Sequence, residues 1–332
     1  MNEVSELYDL AIVGDGVAAH SILFYLSQLQ GTQKIIQISH NKIAPACSLR
    51  GSAVVSSHGI EKGVSPLGDK LYSAYLFFEK FLLENTPDGV ESAKRLHFDK
   101  KEQRLKRRFG FFEHKDHKLL KEKMFWNEEK SFLVQPEVFL DWFSKNTKKP
   151  TRKVTDLIVD FSEKNELVTL KGLGAEIHAK KVIFATGAFS KLYQEDEAEV
   201  LKTKMVAGQY LKSSCDLGPN PFVLTFPKFG NLIYRAKEKE LLIGSSSLPE
   251  AIQGIDGNKL VELYDFFKKV VDFKIPSISK FEILTGMRHK GVKRQPFSGK
   301  LQNYKHVYGL FCLYKNGWTL GPYLASQLVN EL

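Results

Sequence analysis

Cysteine is scarce in this chain. The 332 residues contain three, Cys47, Cys215 and Cys312, far apart and never as Cys-x-x-Cys. That spacing argues against a dithiol relay and against a zinc knuckle, and favours buried inert thiols. The histidines, His20, His40 and His58 among them, show no metal-ligand spacing either. No apolar run is long enough to span a bilayer, so no membrane role is expected. The stretch Met1–Leu7 carries two glutamates and no lysine or arginine. It does not read as a signal peptide, and the expected location is cytoplasmic. Internal repeats and low-complexity segments are absent. What remains is a chain with 43% hydrophobic residues, enough core for one large or two intimately joined domains.

Negative charge is outnumbered, with 38 Asp and Glu against 48 Lys and Arg. The formal net charge is +10, and much of it sits between Lys94 and Lys123. That region includes Lys100, Lys101, Arg104, Lys106, Arg107, Arg108, Lys115, Lys118 and Lys121, interleaved with Phe98, Phe109, Phe111 and Phe112. Basic residues with aromatics can track a phosphate backbone and stack bases, as tRNA binding would need. A solvated hairpin with cationic outer faces fits the same pattern.

The most informative stretch is N-terminal. Tyr8 to Val13 is a short apolar run. Gly14-x-Gly16-x-x-Ala19 follows, then an apolar helical stretch and a second apolar run, Ile35 to Ile38. Strand, loop, helix and strand in that order form the unit that holds the pyrophosphate of a dinucleotide. Gly14 allows the tight turn, Gly16 lets backbone approach the diphosphate, and Ala19 lets helix pack near strand. A helix starting around Val17 would aim its N–H groups and dipole at the phosphates. One part is missing: the acidic residue that normally ends the second strand and bonds the ribose hydroxyls. Ser39 and His40 stand there instead.

Further along, helical spacing marks Leu67–Glu84 and Val138–Ser144. Short strands and basic turns are expected from Leu96 to Val134. Val154–Phe161 and Leu167–Leu170 alternate like strands. Gly172-Leu173-Gly174 lies in a turn and is not a second phosphate loop, so a separate NAD(P)H domain is not expected. Val182–Thr186 reads as a fully apolar strand. Lys204–Leu211, Val223–Phe226, Asn231–Arg235 and Leu241–Ser245 read as antiparallel strands. Asn258–Val271 is an amphipathic helix. Phe281–Arg288 and Val307–Leu313 follow, and a last helix covers Leu320–Leu332. The expected fold is α/β, with a discontinuous dinucleotide-binding domain from residues 1–95, 150–200 and 285–332. Residues 96–149 and 201–284 would form an inserted antiparallel-sheet cap.

The order of these motifs resembles the D-amino-acid oxidase class of FAD-dependent oxidoreductases, which includes glycine and sarcosine oxidases. The resemblance rests on Gly14-x-Gly16-x-x-Ala19, the Ser48-x-x-x-Ser52-Ala53 loop, and Ala185-Thr186-Gly187 with Ser190. It continues through Gly208-Gln209-Tyr210-Leu211, Leu242-Ile243-Gly244-Ser245, Gly286-Met287-Arg288 and Arg294 to Gly299. It ends at Gly317-Trp318-x-x-Gly321-Pro322-x-x-Ala325. The resemblance implies a Rossmann-like FAD domain of the glutathione-reductase type. It assigns to FAD the residues Gly14, Gly16, Val17, Ala18, Ala19, Ser39, His40, Ser48, Arg50, Gly51, Ser52, Val154, Ala185, Thr186, Gly187, Arg288, Asn316, Gly317, Trp318 and Thr319. Arg288 matches an arginine that can bind a substrate carboxylate. Tyr210, Tyr234 and Lys315 are further candidates for the substrate side. For Arg288 a structural ion pair, and for the two tyrosines plain packing, are the competing readings. Three positions depart from the family pattern: the ribose acid, His289 in place of a proline, and Tyr314-Lys315-Asn316-Gly317 in place of a more glycine-rich run.

The leading function is oxidation of a C–N bond in a small amine or amino acid by hydride transfer to flavin. Oxygen or another acceptor would then take the electrons, and Lys315 could assist oxygen through its charge. The chain is also similar to the FAD domain of the tRNA 5-methylaminomethyl wobble-uridine modification enzyme, which would use the basic region. A third reading is a binding module that keeps the flavin fold without catalysis.

Overall fold

The computed structural model describes residues 6–40, 46–57, 65–101, 113–149, 151–192, 202–249 and 255–332. The first strands in chain order are β1 (Leu7–Val13), β2 (Ile35–Ser39), β3 (Val54–Ser56), β4 (Val90–Asp99), β5 (Glu113–Lys115) and β6 (Met124–Val134). Then come β7 (Thr151–Thr155), β8 (Ile158–Lys164), β9 (Leu167–Gly172), β10 (Glu176–Phe184), β11 (Lys204–Ser214) and β12 (Phe222–Phe226). The rest are β13 (Gly230–Arg235), β14 (Glu240–Gly244), β15 (Leu248–Pro249), β16 (Glu282–Lys290), β17 (Phe297–Lys300) and β18 (Val307–Phe311). The α-helices are α1 (Val17–Leu26), α2 (Pro66–Asn85), α3 (Pro136–Asn146), α4 (Gly257–Val270) and α5 (Gly317–Val329).

β1 lies in the middle of the first sheet, whose order is β17-β18-β10-β1-β2-β7, with the β8–β9 hairpin attached through β10. The contacts of β1 with β2 and β10, of β10 with β18, and of β2 with β7 are all parallel. Parallel strands are covered on both faces, which explains the near-continuous apolar runs Leu10–Val13 and Val182–Phe184. α1 is buried on almost every side and carries no charged residue, as expected for a helix clamped between a sheet and other helices.

The second sheet runs β15-β11-β14-β13-β12-β4-β6-β3, with β16 added to β11 and β5 to β6. Its pairings are antiparallel except β12 with β4. α4 covers one face, over a core that includes Phe98, Leu224, Leu232, Tyr234, Leu263 and Phe267. The other face presents Tyr210, Val223, Ile233, Leu242 and Leu284, with Val54 against them. Residues alternate between these two faces, so the register decides which side chains look toward the first sheet. The expected division at residues 95/96 and 284/285 passes through β4 and β16, and both strands bond within the second sheet.

One expected strand is two. Val154–Phe161 breaks at Asp156 into β7, parallel to β2, and β8, antiparallel to β9. The Asp156 carboxylate accepts N–H bonds from Leu157, Leu173, Gly174 and Ala175 at 2.8–3.2 Å. A single side chain thereby closes the break and the Gly172–Gly174 turn together. The helices are as expected with clear caps: Ser65 accepts from Gly68 N–H before α2, and Gln135 from Val138 N–H before α3.

An aromatic cluster joins the elements behind the nucleotide loop. Phe139 of α3 lies 6.1 Å from Phe78 and Phe81 of α2, and 5.8 Å from Trp318 of α5, between ring centroids. Its side chain is fully buried. Phe139→Ala should therefore cost about 3–5 kcal/mol of unfolding free energy, read from denaturant midpoints. A loss under about 1 kcal/mol would show that the cluster does not hold α3 in place.

Candidate active site

The turn out of β1 can only be glycine. Gly14 has φ +139°, and a Cβ there would lie 2.4 Å from the carbonyl oxygen of Ala185. The loop is thus pressed against the end of β10, where Ala185, Thr186 and Gly187 follow. The Thr186 hydroxyl is tied to Ser190 Oγ at 2.7 Å, while the space beside Gly187 is open. Val17, first residue of α1, donates its N–H to Ser48 Oγ at 3.0 Å. Gly16 caps the helix without a side chain, and the N–H groups of Ala18 and Ala19 meet no acceptor among the described residues.

A second helix N-terminus ends at the same place. A Cβ at Gly317 or Gly321 of α5 would stand 3.7 or 3.4 Å from Val17 Cγ1. Asn316 gives α5 no side-chain cap. Its carbonyl accepts from Thr319 and Leu320, and the N–H groups of Gly317 and Trp318 meet no acceptor among the described residues. Trp318 and Thr319 are themselves buried. Two helix dipoles and a set of unused N–H donors around a glycine-bare loop fit a dinucleotide diphosphate. FAD would be held here by Gly14 to Ala19, Ser48, Ala185 to Gly187 and Asn316 to Thr319.

At the end of β2, Ser39 donates to Asp15 Oδ2 at 3.0 Å. Gln37 Nε2 bonds Asp15 Oδ1 at 3.2 Å and the Gly14 carbonyl at 3.0 Å. His40 is buried, its ring 4.4 Å from Phe189. Burial lowers its pKa, with Asp15 pulling the other way. Val154 pairs with Ile38 and packs against the core of the first sheet.

The Cys47–Arg50 turn crosses from this loop to the second sheet. A Cβ on Gly286 of β16 would come within 3.1 Å of Cys47 Sγ and 3.2 Å of Arg50 Cβ, so that glycine sets the distance between the two sheets. Burial raises the Cys47 thiol pKa, and the charge of Arg288 opposes it. Gly51 and Ser52 continue the turn, and the Ser52 carbonyl accepts from Arg235 at 3.0 Å. Arg235 also pairs with Glu240 at 3.3 Å, so it ties the turn to the second sheet.

Arg288 is buried on β16, opposite Val206 of β11. Its guanidinium lies over Gly208, where a Cβ would sit 2.1 Å from Cζ. One terminal nitrogen, Nη1, has no partner, and no carboxylate among the described residues pairs with Arg288. Tyr210 lies on the same face, its ring over Gly244. Lys315 stands close by at the surface. Burial, then the charges of Arg288, Arg294 and Lys290, pull its ammonium down to about 8. His289, in the place of the family's proline, bonds Thr203 at 2.7 Å and stacks on Phe311.

Tyr234 requires a correction. It points to the opposite face of the second sheet, fully buried under α4. Its hydroxyl donates to the Gly218 carbonyl and accepts from Leu217 N–H. Both hydroxyl functions are used in packing, and it takes no part in the site. Gly208 and Gly244, already in the family motifs, lie beside Arg288 and Tyr210, while Gln37 and Asp15, which the sequence reading did not single out, bond each other beside the nucleotide loop. Only the register of β11 against β16 shows that Gly208 lies under a guanidinium.

The basic region is divided. Arg104, Lys106, Arg107, Arg108, Phe109, Phe111 and Phe112 lie outside the described residues, as does His58. Lys94 pairs with Glu128 at 2.8 Å and Lys100 with Glu122 at 3.7 Å. Lys121 Nζ bonds the Lys268 carbonyl, and Phe98 is core. These are the contacts of exposed, ion-paired side chains and of a core aromatic. Among the described residues no cluster fits a metal ion, and no helix is long and apolar enough to cross a membrane.

The sequence model of the DAO family, FAD dependent oxidoreductase, matches residues 148–331. A comparison with curated proteins finds no match. Among solved structures, a glycine oxidase from Geobacillus kaustophilus is similar with a TM-score of 0.81 at 16% identity, covering 98% of this chain and 95% of that one. An L-α-glycerophosphate oxidase from Mycoplasma pneumoniae with FAD bound gives 0.79 at 17% identity, covering 98% and 94%. Iminodiacetate oxidase from a Chelativorans species gives 0.76 at 16% identity, covering 97% and 94%. The tRNA-modifying reading gains no support from these matches. The family pattern spans more than half of the residues, from β7 to the open N-terminus of α5 and beyond, and the chain accordingly belongs to the DAO family of FAD dependent oxidoreductases.

Proposed function

We propose that this enzyme oxidises the C–N bond of a small amino acid or amine that carries a carboxylate. The observation that carries the reading is the buried Arg288 guanidinium with an unpartnered nitrogen. A buried cation without a counter-ion is costly, and an anionic ligand removes the deficit. The guanidinium fork matches a carboxylate in a bidentate pair, and the bare backbone at Gly208 leaves it lying flat. Lys315, Lys290 and Arg294 add charge of the same sign. The names of two structural neighbours, glycine oxidase and iminodiacetate oxidase, support a small amino-acid-like substrate.

Bound FAD supplies the two-electron acceptor. The protein's own task is placement. Arg288 fixes the carboxylate and thereby the adjacent carbon. Tyr210 walls the chamber above Gly244, and the Cys47–Arg50 turn closes it toward the nucleotide loop. Arg50, beside Gly286, adds a further positive charge on that side.

Arg288→Lys keeps the charge and loses the fork. It should raise KM for a carboxylate substrate roughly thirtyfold or more, a loss of about 2 kcal/mol upward, while a carboxyl-free amine of similar size changes little. Steady-state kinetics on the pair decide this, and equal effects on both substrates would sink the assignment. Arg288→Ala should leave the melting temperature of the flavin-free protein level or raise it, because an unpaired buried cation is removed.

Lys315 gives a pH test. Its pKa is lowered, so it is cationic below about pH 8 and neutral above. Anion binding that it assists is therefore full below pH 8 and weakens as pH rises. KM for a carboxylate substrate should climb about fivefold through this range. Lys315→Met should remove that limb and leave only the titration of the substrate's own amine. A limb that persists unchanged in the variant would exclude Lys315.

A further inference from the structure

The acid that ends the second strand in dinucleotide folds is missing here, yet a carboxylate reaches the same place. We infer that Asp15, the middle residue of Gly14-Asp15-Gly16, replaces it and accepts the hydroxyls of the adenosine ribose of FAD. The inference rests on the family's cofactor and goes further, to a residue of this chain that nothing else assigns.

The geometry follows from the parallel pairing. Val13 pairs with Ile38, and Gly14 N–H donates to the Ile38 carbonyl at 2.8 Å. Asp15 therefore leaves the loop beside the last residues of β2. Its carboxylate is drawn across to that strand by two side chains, Ser39 Oγ at 3.0 Å and Gln37 Nε2 at 3.2 Å. Gln37 is buried and also grips the Gly14 carbonyl at 3.0 Å, so it locks loop and strand together. An acid at position 39 or 40 would put its own carboxylate at this strand end. Here Ser39 gives a hydroxyl instead, and the acid arrives from the neighbouring loop.

Ser39 and Gln37, two of the groups that bond this carboxylate, are neutral donors. His20, with Nε2 3.7 Å away, is buried, and burial lowers its pKa, which keeps it neutral near pH 7. His40 behaves alike. The Asp15 side chain keeps 20% exposure. A carboxylate this near a phosphate loop would repel a diphosphate if it faced it. The bonds to Ser39 and Gln37 turn it away from the helix N–H groups and toward the strand end, where a ribose needs an acceptor.

The test is flavin binding, not turnover. The full chain is stripped of flavin and titrated by flavin fluorescence with FAD and with an analogue whose adenosine ribose lacks its 2′-hydroxyl. The intact protein should bind FAD about tenfold or more tightly than the analogue, as a charge-assisted hydrogen bond predicts. In Asp15→Asn and Asp15→Ala that preference should collapse to about twofold or less, with FAD weakened and the analogue almost unchanged. Unchanged flavin-free melting temperatures would show that the variants fold. Variants that bind FAD as tightly as the intact protein, or more tightly, would overturn the inference and mark Asp15 as a repulsive neighbour of the diphosphate. An intact protein that takes up neither dinucleotide would instead overturn the cofactor assignment itself.

Discussion

The N-termini of α1 and α5 pack together at Val17 and Gly321, where a Cβ would lie 3.4 Å from Val17 Cγ1, and each leaves backbone N–H groups without acceptors among the described residues. A buried helix start without caps is costly unless a ligand supplies the missing acceptors. This convergence organises the first sheet. The two helices are separated by nearly the whole chain, so β18 must return beside β10, and β10 beside β1, for α5 to lie against α1. Gly14 pressed on Ala185 is the point where any side chain would hold the layers apart, whereas a Cβ at Gly317 or Gly321 would only touch Val17.

Charge divides the molecule's work between the two sheets. The nucleotide side offers N–H dipoles and, at the end of β2, a carboxylate. The substrate side offers cations, with Arg288 buried and Lys315 depressed by its neighbours. The Cys47–Arg50 turn joins the two, and its approach to β16 depends on Gly286 having no side chain. The second sheet turns one face to this chamber and hides the other under α4. The alternation of strand residues thus puts Tyr210 on the face that carries Arg288 and Tyr234 on the face under α4, although both sit on central strands of one sheet.

Much of this was legible in order and spacing. The nucleotide loop, α2, α3, the β9–β10 turn at Gly172–Gly174 and the start of α5 all carry local signals: small residues at tight turns, caps, and period-3.6 apolar stripes. The break at Asp156 was not legible, because Val154–Phe161 alternates well enough for one strand. Only the four N–H groups gathered by Asp156, three of them from a distant turn, reveal the corner. Tyr234 was misplaced for a similar reason. Strand periodicity says that neighbours face opposite ways, but not which way is inward when both faces are buried. Asp15 was in plain view as the variable letter of a glycine motif, and its meaning depended on where Ser39 and Gln37 stood.

The sequence by itself determined the dinucleotide loop, the family and the presence of an arginine on a late strand, because those depend on residue type at short spacing. The tertiary structure alone decided that Arg288 is buried over a bare glycine without a carboxylate partner. It alone showed that Tyr234 is packing and that Asp15 reaches the end of β2. Each of these depends on strand register and on contacts between residues 16 to 80 positions apart, and local chemistry carries no record of such distances.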